Sequence, residues 1–105
     1  MNKTITIGDK EVKLECNAYT PIKYREETGR DLLKEFTHLD ENDPDTSVML
    51  DLLFIMAKQG GFDGDQEKFF SQFEVLDAYA ALPQAMALWT ENSESTSVPK
   101  KDRDK

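Results

Sequence analysis

Ten residues in the middle of the chain limit the folds open to it more than any others. From Val48 to Ala57 only Asp51 is polar, in the order Val-Met-Leu-Asp-Leu-Leu-Phe-Ile-Met-Ala. The helix they predict, about Pro44 to Gln59, is apolar nearly all round. Such a helix must be surrounded by other elements or covered by a partner. The chain has 105 residues, enough for one domain and one modest core. The other elements are therefore expected to gather around this helix.

The N-terminal residues 3–16 read as a β-hairpin. Ile5 and Ile7 alternate with threonines, and Val12, Leu14 and Cys16 alternate with charged residues. Gly8-Asp9 between them suits a two-residue turn. That turn sets Ile7 opposite Lys10, Ile5 opposite Val12 and Lys3 opposite Leu14, and a one-residue slip would turn one apolar set outward. A lone hairpin is marginal in water, so its apolar face must rest on helices.

Helical segments fill the rest. Thr20-Pro21 predicts an N-cap and a first helical residue for Ile22–Thr28, with Gly29 ending it. Asp31 predicts the cap of a second helix, Leu32 to about His38, with Leu32, Leu33 and Phe36 inward. An acidic loop, Asp40 to Asp45, precedes the apolar helix, and Gly60-Gly61 ends that helix. Asp65 predicts the cap of a short helix carrying Phe69, Phe70 and Phe73. A last run, Glu74 to Glu91, places Leu76, Tyr79, Ala80, Leu82, Met86 and Trp89 along it. Pro83 must kink or split this run, because it frees the Tyr79 carbonyl. The expected fold class is α+β: a hairpin packed on about five helices. The folded domain is expected to cover residues 1–92, and residues 93–105, rich in Ser, Thr, Lys and Asp, are expected to be a disordered tail.

The charge is uneven. Net charge is −8 from 13 basic and 21 acidic residues. The last 13 residues hold four basic and three acidic, so residues 1–92 keep nine basic and 18 acidic, a net of −9. Such a body is repelled by nucleic-acid phosphates and by anionic lipid, so neither nucleic acid nor membrane is an expected partner. The N-terminus has no apolar run of signal-peptide type, and no stretch approaches the ~18 apolar residues of a membrane span. One cysteine forbids an internal disulfide and fits a reducing compartment.

The chemistry-bearing residues assemble into nothing catalytic. Cys16 falls on the apolar face of the hairpin, and His38, the only histidine, falls near a helix end. One Cys and one His cannot supply the four ligands of structural zinc. A calcium loop started at Asp40 would have Pro44 at its fifth position and Asp45 at its sixth, where an oxygen ligand and Gly are needed. No phosphate-binding glycine motif is present. The chain is thus expected to have no catalytic, cofactor or metal residues and to act by binding protein. Aromatic residues make up 10% of it, more than the body is expected to need for its core. The candidate protein-binding residues are Phe54, Phe69, Phe70, Tyr79, Met86 and Trp89, all on the later helices. A surplus apolar face there would serve a partner or a second copy of the chain.

Three patterns carry a resemblance: Ile-Thr-Ile-Gly-Asp-Lys-Glu-Val-Lys-Leu in the hairpin, Thr20-Pro21-Ile22-Lys23-Tyr24-Arg25-Glu26-Glu27-Thr28-Gly29-Arg30-Asp31 after it, and Leu88-Trp89-Thr90-Glu91-Asn92 followed by a Ser/Thr-rich segment and Pro99-Lys100-Lys101. Together they resemble the tail assembly chaperones of long-tailed (siphovirus-type) phages and prophages of Gram-positive bacteria, over nearly the whole chain. The resemblance implies a protein that binds the tape measure protein, keeps it soluble and helps recruit the major tail (tube) protein during tail morphogenesis. It implies a location in the host bacterial cytoplasm and absence from the mature virion. It also implies that a ribosomal frameshift near the gene's end yields a longer product. Pro99-Lys100-Lys101 can be encoded with the slip sequence A-AAA-AAG in the required frame. It implies no residue-level site. The main alternative is an acidic mimic of nucleic acid that inhibits a host DNA-binding protein, which needs a regular exposed row of carboxylates.

Overall fold

The computed structural model describes residues 1–37 and 46–93. His38, the acidic loop at 40–45, Pro44 and the tail expected at 93–105, apart from Ser93 itself, lie outside the described residues. The described chain runs β1 (Asn2–Ile7), β2 (Lys10–Glu15), α1 (Thr20–Thr28), α2 (Leu32–Thr37), α3 (Thr46–Gln59), α4 (Gln66–Phe70), α5 (Val75–Ala80) and α6 (Leu82–Ser93). The fold class is α+β, as expected. The last predicted run is two helices, not one kinked helix. Pro83 sits in the first turn of α6, and the N–H of Ala81 turns back to Ala78 at 3.2 Å.

The strands pair antiparallel in the predicted register, with Ile7 against Lys10, Ile5 against Val12 and Lys3 against Leu14. Gly8 takes φ 65°, a left-handed turn conformation that glycine adopts without steric cost. Ile5, Ile7, Leu14 and Cys16 are buried on one side of the hairpin.

That side rests on α3, which also packs against α1 and α6. Six consecutive residues of α3, Leu52 to Ala57, are buried. Since 3.6 residues make a turn, a buried run of this length is enclosed on every side. The helix ends as its glycines predict. Gly61 has φ 119°, its N–H bonds to Lys58 at 3.1 Å, and the Phe62 N–H bonds to Ala57 at 3.0 Å. This double bond satisfies two carbonyls left free at the helix end.

Two local expectations are corrected. Thr20 is not the N-cap of α1 but its first residue, and Tyr19 holds the cap position without a side-chain bond. The Asn17 side chain instead accepts the Tyr19 N–H at 2.8 Å. This frees the Thr20 hydroxyl for the interior. It accepts the Asn17 N–H at 2.9 Å and donates to Gln59 Oε1 at 2.6 Å, tying the start of α1 to the end of α3. Leu33, expected inward, is 58% exposed. A six-residue helix has one inward stripe, and Leu32 and Phe36, four apart, occupy it. The caps expected at Asp31 and Asp65 are present, each accepting an N–H three residues on, at 3.3 and 2.8 Å.

Candidate protein-binding face

The six residues singled out from the sequence do not form one surface. Phe54 and Phe69 are 5% and 1% exposed and belong to the core. Phe69 is the hub of an aromatic cluster. Its ring centroid lies 4.9 Å from Phe70, 5.1 Å from Phe62, 5.2 Å from Phe73 and 5.8 Å from Phe54. Three of these pairs meet edge to face, the arrangement the ring quadrupole favours. Neither ring can reach a partner while the chain stays folded. Phe70 is half-buried and, with Leu50, forms the apolar part of a shallow groove of about 390 Å³ between α3 and α4, rimmed by Asp51, Gln66 and Glu67. Met86 and Trp89 are half-buried on the inner side of α6. Trp89 stacks on Phe36 of α2, with centroids 5.6 Å apart and planes 13° from parallel. Tyr79 alone of the six is exposed, at 47%.

Tyr79 does not stand by itself. Val75 and Leu76 on the same helix are 70% and 80% exposed, and Ala80 is exposed too. At 3.6 residues per turn these four positions share one side of α5. The other side carries Ala78, which is buried, and Asp77, which is half-buried. Asp77 lies at the hairpin turn, where a methyl group on Gly8 would come within 2.7 Å of its Oδ2. The helix is therefore amphipathic the wrong way round for an isolated protein, with its carboxylate toward the body and its large apolar side chains toward solvent. Single exposed apolar residues are ordinary, but a contiguous group on one helix face marks a contact surface.

Val75 is absent from the sequence expectation, and Leu76 appears in it only as a residue along the last helical run, not as a contact candidate. A single helical phase through Glu74 to Glu91 would carry the inward side of α6 back into α5. The break at Ala81 resets that phase. A usable signal was present in the small residues: Ala78, Ala81 and Ala85 are all buried and mark the closely packed side.

Charge along the chain that carries the face has one sign. From Phe69 to Ser93 the chain carries Glu74, Asp77 and Glu91 and no Lys, Arg or His. Asp9, exposed on the hairpin turn beside Gly8, adds to it, and Lys10 is the one cation of that turn.

The other polar constellations are accounted for by the fold. The Arg30 guanidinium pairs with Asp51 and, at 3.2 Å, with Glu35, and it donates to the Tyr24 hydroxyl at 3.3 Å. Asp51 also accepts from Gln66 Nε2 at 2.6 Å. These bonds link α1, α2, α3 and the start of α4. Glu27 pairs with both Lys58 at 3.7 Å and Lys23 at 3.8 Å. Cys16 is fully buried, and burial pushes its thiol up from the ordinary range against a smaller opposing pull from Thr20. Among the described residues no three His, Cys, Asp or Glu side chains converge as metal ligands would, and no helix is long and apolar enough to cross a membrane. No family model, curated protein or solved structure matches the chain.

Proposed function

We propose that this chain is a tail assembly chaperone of a long-tailed phage or prophage, acting by binding and not by catalysis. It would hold the tape measure protein in soluble form in the host bacterial cytoplasm, help gather tail tube subunits around it, and leave before the virion is finished. The observation that carries the reading is the outward apolar face of α5, Val75, Leu76 and Tyr79, on a body of net charge −9. A long helical client offers apolar stripes that such a face can cover. The excess of negative charge keeps coated complexes apart. The motifs around Thr20–Asp31 and Leu88–Asn92 add the resemblance that names the client.

The rival, an acidic mimic of nucleic acid, is less well served. Asp31 and Asp65 cap helices, and Glu27, Glu35 and Asp51 sit in ion pairs. These carboxylates are committed within the fold rather than arrayed for a partner.

Co-expression with the very long reading frame of the same gene cluster tests the proposal. The long protein should be insoluble alone, soluble with this chain, and insoluble again with Leu76→Asp or Tyr79→Asp. Equal solubility with and without the chain would reject the chaperone role. Reading the codons of Pro99-Lys100-Lys101 tests the longer product separately. A sequence that breaks A-AAA-AAG, with no overlapping downstream frame, rejects it.

A further inference from the structure

We infer that the α5 face takes a cationic amphipathic helix, one whose apolar stripe is flanked by Lys or Arg, in preference to a second copy of this chain. The inference rests on α5 as the client-binding face and adds the chemistry of what lies on it.

Two properties of the face select the occupant. The first is size. A six-residue helix is about 9 Å long at 1.5 Å per residue. Three large apolar side chains on it fall well short of the ~800 Å² per partner typical of a stable protein–protein interface. They suffice as anchors for a single helix laid across them, where recognition comes from a few side chains at one-turn spacing.

The second is charge. Glu74, which is exposed, immediately precedes the apolar face, while Asp77 lies on the far side toward the hairpin turn. Every titratable side chain from Phe69 to Ser93, apart from the Tyr79 phenol, is a carboxylate. A two-fold dimer through this face would bring Glu74 near its own copy with no Lys or Arg of α5 or α6 to offset it, so like charges would oppose the contact. A partner with Lys or Arg beside its apolar stripe meets the Glu74 carboxylate with opposite charge. The apolar contact supplies adhesion, and the flanking charges supply choice of partner.

The test uses the full chain and two synthetic helical peptides. They share one leucine stripe and carry Lys in one and Glu in the other at the remaining positions. Binding is read by fluorescence anisotropy of the labelled peptide at low and at high salt. The Lys peptide should bind at least ~10-fold more tightly than the Glu peptide, and the gap should shrink as salt screens the flanks. Val75→Ser and Leu76→Ser should each weaken the Lys peptide by ~10-fold with an unchanged melting temperature, as expected for anchors at the centre of a contact. Glu74→Gln should weaken it less and flatten its salt dependence.

If the α5 variants leave Lys-peptide binding unchanged, the peptide is bound elsewhere on the acidic body and α5 is not the docking face. If they abolish both peptides equally, α5 stands as the face and the charge preference is wrong. A wild-type dimer in sedimentation that Leu76→Ser dissolves would give the face to a second copy and overturn the inference.

Discussion

Gly60 and Lys13 are in contact through their backbones. A methyl group on Gly60 would overlap the Lys13 carbonyl oxygen, so the end of α3 and strand β2 approach as closely as main chains can. Gly60→Ala must push the hairpin off α3 and should cost about 2–3 kcal/mol, the upper part of the range for overpacked sites. Gly29→Ala is the comparison. That site has φ 77° and no neighbour within 4 Å, so only left-handed strain of about 1–2 kcal/mol applies. Urea unfolding followed by Trp89, the only tryptophan, separates the two. Equal losses would mean that the contact with Lys13 contributes nothing.

The Thr20 hydroxyl closes a small polar network at the same end of α3. Gln59 accepts from Thr20 and donates from Nε2 to Asn17 Oδ1 at 3.2 Å. Thr20→Val keeps the shape and removes the hydroxyl, leaving the Asn17 N–H and the Gln59 oxygen without this partner. The expected loss is about 1–3 kcal/mol, the cost of stranding buried polar groups. Thr20→Ser keeps the hydroxyl and should recover most of it. A valine variant as stable as the parent would show that the network is energetically idle.

Cys16 should behave as an inert thiol in the folded chain. Its burial disfavours the thiolate, so the folded-state pKa lies above the unfolded one. The resulting stability is complete below the ordinary thiol range of about 8.5 and falls away as pH rises through the folded-state value. Reaction with a disulfide reagent at pH 8 should be slow in buffer and fast in urea. Rapid labelling of the native chain would show that β2 opens readily.

Leu76 and Leu52 should respond in opposite ways to truncation. Leu76→Ser removes a side chain that is mostly in water and should change stability by no more than about 0.5 kcal/mol. Leu52→Ala empties a site at the centre of α3 and should cost about 2–5 kcal/mol. Thermal melts of both variants, set beside peptide binding, distinguish a docking residue from a core residue. A large stability loss for Leu76→Ser would mean that α5 supports the fold through that side chain.

The sequence carried the hairpin and, over the described residues, the enclosed helix because each rests on a pattern local to its element. Alternation fixes the strand faces, and Gly8-Asp9 fixes the register. The run Leu52 to Ala57 needs no knowledge of its neighbours to be recognised as interior. What misled was phase. Leu33 belongs to a helix of six residues, in which the inward position depends on where the first turn begins. That start is set by tertiary packing, here by Phe36 meeting Trp89. Thr20 misled for a related reason: its hydroxyl suits a cap, yet Gln59, distant in sequence, offered it a half-buried partner. The candidate site inherited these errors. Tyr79 was found, Val75 was missed, and Phe54 and Phe69 were taken outward when their rings complete the core.

The link between Thr20 and Gln59, 39 residues apart, also orders events on the ribosome. At about 5–20 residues per second, the hairpin and α1 emerge seconds before the helix they rest on. In that interval the apolar side of the hairpin has nothing to lie against. Native structure therefore waits for synthesis to pass Gly60, and a transcript cut before that point would yield a fragment without a fold.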